Sequence, residues 1–272
     1  MERAYVPWTI LGAGRAGKAI SLLGKEVGAK VTLWNRTAFD SPHSSIRCVE
    51  GELETLLSQV GGSVVWLTVS DDAIAEVAAE LVPYLKPADI VVHVSGSLDS
   101  RVLRSAGLRG PLASIHPLLS ISNPRVALDA FRGCAWTIEG DFAALEFGRW
   151  VLGKIGVEPI EIRPEDKILY HAAAVMSAGH LTALMDAVFS VAESCGFSAE
   201  QARQMYLPLA SSILKNLENL DTAAALTGPV ARRDQKTIQS HEAALQRLED
   251  SSVSEVYKVL LKRSRALLDD PH

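Results

Sequence analysis

Gly12-Ala13-Gly14-Arg15-Ala16-Gly17 stands between the apolar run Val6–Leu11 and the amphipathic stretch Ala16–Val27. Glycines recur in turns by chance, so this spacing alone says little. Between a strand and a helix each glycine acquires a task. Gly12 allows the tight turn, Gly14 lets backbone approach a pyrophosphate, and Gly17 lets the helix pack closely. The helix start then offers unpaired N–H groups to phosphate oxygens. Gly12, Ala13, Gly14, Arg15, Ala16 and Gly17 are therefore candidate dinucleotide-binding residues.

The next strand, Lys30–Trp34, ends in Trp34-Asn35-Arg36-Thr37, with no acidic residue until Asp40. A carboxylate at this place accepts from a ribose 2′-hydroxyl and repels a 2′-phosphate. Arg36 can instead pair with that phosphate bidentately, and Thr37 can donate to it. Asn35, Arg36 and Thr37 thus point to NADP(H) as the cofactor.

Outward from here, short apolar runs continue to alternate with helical patterns: Val64–Val69, Ile90–Val94 and Leu112–Ile115 as strands, with Ala73–Leu81 and Ser100–Ala106 between them. Runs that are nearly continuous in apolar character belong to strands covered on both faces. Ala135–Ile138 and Glu158–Ile162, flanking a helix at Phe142–Ile155, extend the sheet. After Pro164 the strand signal stops. A long alanine-rich helix runs to about Glu193, Ser198-x-x-Gln201 opens a second helix as a capping box, and Ser252-x-x-Glu255 opens the last. The fold class expected is α/β, a doubly wound, mostly parallel sheet of Rossmann-like type over residues 1–163, followed by an all-α domain over 164–272.

In open sheets of this kind ligands bind beyond the carboxyl ends of the strands. Small or polar residues fall there each time: Thr68-Val69-Ser70-Asp71, His93-Val94-Ser95-Gly96-Ser97 and Ile115-His116-Pro117. Val69, Ser70, Ser95 and Gly96 join the cofactor-binding candidates. Ser95 and His116 are catalytic candidates, His116 as a histidine titrating near neutrality that protonates a carbonyl being reduced. Asp71 and Asp72 are also natural helix caps. On the long helix Lys167 and His171, four apart, share a face and are further catalytic candidates. His180, half a turn out of phase with His171, shares no face with it, so the pair forms no metal site. The loop Leu226-Thr227-Gly228-Pro229-Val230-Ala231-Arg232-Arg233-Asp234 offers Arg232 as a carboxylate clamp, and His180 and Arg232 are the substrate-binding candidates.

Composition narrows the function classes. Of 272 residues, 27 are Lys or Arg and 32 Asp or Glu, a formal net charge of −5, which disfavours a nucleic-acid partner. Three cysteines, Cys48, Cys134 and Cys195, form no CxxC pair, so neither a disulfide framework nor a metal site is expected. The most apolar window, Ala172–Ala192, contains His180 and Asp186 and reads as a buried helix rather than a membrane span. The expectation is a cytoplasmic protein with a small-molecule substrate and no membrane partner. The uniformly apolar helical domain predicts a homodimer through the C-terminal helices.

GAGRAG, NRT, VSDDAI, HVSG, SIHPL, YHAAAV and LTGPVARRD, in this order, resemble a family of NADP-dependent oxidoreductases predicted from their fold, with a Rossmann-like N-terminal domain and a C-terminal domain of unknown function. The resemblance covers nearly the whole chain. More distantly the chain looks like pyrroline-5-carboxylate reductase, ketopantoate reductase and prephenate dehydrogenase, the last through Ser95-Gly96, His116-Pro117 and His171. The resemblance implies an oxidoreductase and fixes no substrate; the first reading is an NADP(H)-dependent reductase delivering hydride to a small carbonyl or imine compound that carries a carboxylate. Family members often carry Asn where this chain has Gly179. That departure leaves a second reading, a non-catalytic NADP(H)-binding sensor or scaffold.

Overall fold

The structure is a computed structural model that describes residues 6–58, 60–124 and 127–269. It divides into two compact units, one running to Val175 and the other beginning at Met176.

The first unit is built on one sheet of eight strands: β1 (Trp8–Leu11), β2 (Val31–Asn35), β3 (Arg47–Glu50), β4 (Val64–Leu67), β5 (Val91–His93), β6 (Leu112–Pro117), β7 (Trp136–Gly140) and β8 (Ile160–Glu161). Their order across the sheet is β3-β2-β1-β4-β5-β6-β7-β8. The first six run parallel, β7 is antiparallel to β6, and β8 follows β7. Helices α1 (Arg15–Glu26), α2 (Glu54–Leu57), α3 (Asp71–Leu81), α4 (Arg101–Ser105), α5 (Ala127–Gly133), α6 (Phe142–Lys154) and α7 (Lys167–Val175) connect and flank the strands.

Alternate strand residues point to opposite faces, and the core divides accordingly. Trp8, Ile10 and Trp66 pack with Ile20, Leu23, Phe147 and Val151 on one face. Leu11, Val65 and Leu67 pack with Ile74, Val77, Leu81 and Leu103 on the other. Covering both faces is what makes the strands continuous apolar runs rather than alternating ones. The exception is β3, whose residues are mostly exposed. With Arg47 and Glu50 at its ends it is a charged edge strand, and its polar sequence carries no strand pattern to read.

The second unit holds α8 (Leu181–Ser194), α9 (Ala199–Leu217), α10 (Thr222–Ala225), α11 (Gly228–Ala231), α12 (Gln235–Leu245) and α13 (Ser251–Asp269). The capping box at Ser198 and Gln201 is formed in both directions. At α13 the expected cap is displaced: Asp250 Oδ1 accepts from Ser252 N at 2.9 Å, so Asp250 rather than Ser252 serves the helix start.

The helix expected from Pro164 to Glu193 is not one α-helix. A 3-10 turn at Pro164–Asp166 precedes α7, and a π-helical turn at Met176–His180, containing Gly179, separates α7 from α8. The half-turn phase computed between His171 and His180 assumed unbroken α geometry, which the π turn removes. Nor is this segment buried as expected. Along α8 only Ala192 is buried, while Leu184, Val188 and Val191 are half-buried. Leu184, Val188, Tyr206, Tyr257 and Leu260 line an open apolar groove of about 490 Å³. The segment Pro164–Ser194 is long and apolar enough to cross a membrane by length and composition alone.

Candidate active site at the crest of the sheet

At the carboxyl end of β1 the chain turns through Gly12, whose φ of +107° favours glycine. A Cβ there would lie 2.8 Å from Thr68 O. Gly12 N donates to Trp34 O at 2.9 Å, and Thr68 Oγ1 donates to Gly12 O at 2.7 Å. A Cβ on Gly17 would run into the Gly12 carbonyl oxygen, so α1 sits as close to the turn as backbone allows. Gly14, by contrast, has open space where a Cβ would be. It caps α1 without a side-chain hydrogen bond, and no acid lies in the first turn. The helix start therefore presents free N–H groups and a favourable dipole toward open space, which suits a pyrophosphate.

Asn35, at the end of β2, ties this turn to the next. Its Oδ1 accepts from Ala13 N at 3.1 Å, and its Nδ2 donates to Thr37 O at 3.0 Å and Thr37 Oγ1 at 3.1 Å. Asn35 is thus a brace rather than a ligand contact. Arg36 is exposed and makes no ion pair among the described residues, leaving its guanidinium available. Arg15 is exposed at the mouth of the cradle and Ala16 is partly buried behind it.

A second polar centre lies further along the same crest, where β4, β5, β6 and α7 meet. Ser95 is buried, and its hydroxyl is fully committed. It donates to Asp71 Oδ2 at 2.8 Å and accepts from Ser97 N at 3.2 Å and Leu98 N at 3.0 Å. Ser97 Oγ also donates to Asp71 Oδ2, at 2.6 Å. Asp71 begins α3 and braces the Ser95–Ser97 turn across it. Val69 and Ser70 follow β4 directly, and Ser70 caps α3 with extended backbone.

Lys167, expected at the cleft, is 1% exposed. Its ammonium donates to Ser95 O at 2.9 Å and to Ser114 Oγ, which pins α7 onto the crest. Burial pulls Lys167 down to about 8, against the attraction of Glu139, Asp99 and Asp71. Lys167 is therefore an anchor beneath the site, not a free carboxylate clamp. That anchor explains why α7 belongs to the sheet unit, one helix later than the division at 163/164 read from the sequence.

The face of α7 that carries Lys167 also carries Tyr170 and His171, three and four residues on. His116 Nδ1 lies 2.9 Å from Tyr170 Oη. The His116 and His171 rings meet edge to face with centroids 6.3 Å apart. Both converge on Gly96, where a Cβ would lie 2.6 Å from His171 Nδ1 and 2.8 Å from His116 Nε2. Only a glycine leaves these two nitrogens that room. His171 Nδ1 is buried and has no hydrogen-bond partner among the described residues. Burial, then Lys167 and His171, push His116 down to about 4. The expectation of a histidine titrating near neutrality fails for this reason: His116 is a neutral ring at neutral pH.

Three participants escaped the sequence reading. Tyr170 stood inside a quoted motif without a role. His93, fully buried at the end of β5, accepts from Ser95 N at 3.2 Å and is pushed down to about 4 by burial and then by Lys167. Glu139 on β7 is 2% exposed, accepts from Ser100 N at 2.7 Å and Ser100 Oγ at 2.8 Å, and is raised by burial. An acid within an otherwise apolar strand was the available signal for Glu139.

His180 and Arg232 lie in the second unit, both exposed, His180 closing the π turn and Arg232 ending α11. Arg233 beside it has φ of 56°, uncommon for a residue with a side chain. Among the described residues no group of three or more potential metal ligands occurs.

Residues 134–264 match the family described as Domain of unknown function (DUF2520). The match takes in Glu139, Lys167, Tyr170 and His171 and leaves the glycine cradle, Gly96 and His116 outside it. Among solved structures, BF3122 of Bacteroides fragilis, assigned provisionally as an NADP oxidoreductase, superposes with a TM-score of 0.78 at 18% identity, covering 97% of this chain and 99% of the other. Protein TM1727 of Thermotoga maritima gives 0.73 at 21% identity, covering 96% and 98%. Pyrroline carboxylate reductase of Plasmodium falciparum, solved with NADP bound, gives 0.64 at 13% identity, covering 98% and 99%. These likenesses confirm the Rossmann-like fold of the chain. No curated protein matches it.

Proposed function

We propose that the chain is an NADP(H)-dependent reductase of the cytoplasm, acting on a small carbonyl or imine compound that carries a carboxylate. The observation that carries this reading is the pairing, along one sheet crest, of an open phosphate cradle with two histidines that meet edge to face against Gly96. The cradle fits a dinucleotide: free N–H groups at Gly14–Ala16 suit the pyrophosphate, and exposed Arg36, with Thr37 beside it, suits a 2′-phosphate. NADP-bound relatives of the same fold support the choice of cofactor.

When bound, NADPH supplies the hydride. The protein's own groups hold and polarise the acceptor. His116 and His171 face it, while Ser95 and Lys167 hold the turn and helix that present them. His116→Asn is expected to lower turnover about a hundredfold while sparing NADPH binding. Unchanged turnover removes His116 from the reaction.

The test is a fluorescence titration with NADPH and, side by side, NADH. Tight, NADPH-selective binding is expected, and binding of neither overturns the reading. We also propose that the second unit pairs with its copy, since Met205, Leu207, Leu209, Leu214 and Val259 are exposed on its helices. A mass of one chain by light scattering at micromolar concentration overturns that.

A further inference from the structure

Tyr170 has no part in the reading above, yet among the described residues it is the hydrogen-bond partner of the His116 ring. Its Oη lies 2.9 Å from Nδ1, and the rings meet at an interplanar angle of 88°. Coordinates of heavy atoms leave two arrangements: the phenol donates to a bare Nδ1, or Nδ1–H donates to the phenol oxygen. The surroundings decide between them. Burial raises Tyr170 above the ordinary phenol value, so it keeps its proton. A neutral imidazole has one N–H, and its bare nitrogen is the stronger acceptor of this pair. At the other side of the ring, Nε2 closes on Gly96, where a Cβ would lie 2.8 Å from it and 2.6 Å from His171 Nδ1, so the tautomer decides whether this edge of the ring presents a donor or an acceptor.

We propose that Tyr170 is a positioning residue: its phenol donates to His116 Nδ1, fixing the ring as the Nε2–H tautomer and aiming a neutral donor at a ligand oxygen above Gly96. This rests on the reductase reading only for what the donor serves. A neutral N–H suits a carbonyl oxygen, which accepts, over a protonated imine, which does not. The arrangement also gives burial of His116 a purpose, because an imidazolium would donate from both nitrogens and lose the phenol's hydrogen bond. Charge developing on a carbonyl oxygen during reduction meets a donor already in place, with no reorganisation of solvent.

The experiment is long-range proton–nitrogen correlation NMR on the uniformly nitrogen-15-labelled full chain, with His116 assigned through His116→Asn. The expected result is a protonated Nε2 and a bare, hydrogen-bonded Nδ1. A hydrogen bond donated to Nδ1 stabilises the neutral ring, so in Tyr170→Phe the Nδ1 resonance moves to its unbonded position and the His116 titration shifts upward by roughly half to one unit. The opposite arrangement predicts a downward shift, because the lost acceptor had favoured a protonated Nδ1. A protonated Nδ1 in the unaltered chain, or a Tyr170→Phe titration that is unmoved or lowered, overturns the proposal. The tautomer is read without cofactor. Failure to bind NADPH therefore brings down the reductase reading alone, and a wrong tautomer in a chain that binds NADPH brings down this one alone.

Discussion

The glycine cradle after β1 and the histidine centre above Gly96 lie on the same crest and are made of opposite materials. The cradle offers backbone N–H groups from one stretch of chain, open space at Gly14 and an exposed Arg36. The histidine centre is made of side chains from segments far apart, among them Asp71, Ser95, His116, Lys167 and Tyr170, held by one another's hydrogen bonds. Backbone donors do not titrate. Buried rings do titrate, and depend entirely on distant packing. The two centres should therefore fail under different insults.

The sharpest contrast is between two glycines. A side chain at Gly17 meets backbone, the Gly12 carbonyl, which cannot turn aside, whereas at Gly96 it meets ring nitrogens of side chains. Gly17→Val is expected to cost about 3 kcal/mol or more and to abolish NADPH binding. Gly96→Val should cost about 1 to 2 kcal/mol, as the rings shift, and leave NADPH binding intact while turnover is lost. Urea unfolding with a parallel NADPH titration checks both. Equal losses of cofactor binding would mean that the two centres are not separable.

The same contrast explains what could be read from the sequence. The cradle was legible because its residues are contiguous and its signal is the succession strand, glycine turn, helix. Both faces of the sheet were legible in the apolar runs. The histidine centre was legible only as candidates: His116, Ser95 and Lys167 were found, but their roles shift once burial is known. Lys167 looks like a cleft residue in a helical pattern and is an anchor in the fold. Tyr170 and Glu139 acquire roles only through partners 54 and 39 residues away in the chain. The window Ala172–Ala192 reads as a buried helix because alanine-rich sequence looks the same whether its cover comes from its own chain or from outside.

Acid should find the histidine centre and miss the cradle. His93 and His116 sit near 4 in the fold against 6.5 for an ordinary histidine. Between those values the unfolded chain binds protons that the folded chain refuses, so stability falls as pH falls through the window. Each ring accounts for about 2 kcal/mol between pH 7 and pH 5. His116→Asn removes one share, so its acid slope is expected to be shallower by that amount. On the alkaline side Lys167, at about 8 against 10.5, has the same sign. The unfolded chain holds the extra proton between those values, and stability rises with pH across them. Urea midpoints at pH 5, 7, 8 and 10 read both limbs. An acid limb as steep in His116→Asn as in the unaltered chain would remove His116 from the account.

The smallest effect belongs to Arg36, the exposed charge that follows β2. Arg36→Ala leaves the glycine turn, the Asn35 brace and the core untouched, so stability should stay within about 0.5 kcal/mol. A charge-assisted contact to a 2′-phosphate is worth a hydrogen bond to a charged group, so NADPH affinity should fall by roughly tenfold or more. NADH affinity should hold, because that cofactor has no phosphate for Arg36 to meet. The ratio of the two dissociation constants is the informative quantity, since it cancels any general loosening of the loop. If both affinities fall together, Arg36 shapes the turn instead of reading the phosphate. The absence of an acid after β2 would then be the only basis for the choice between the two cofactors.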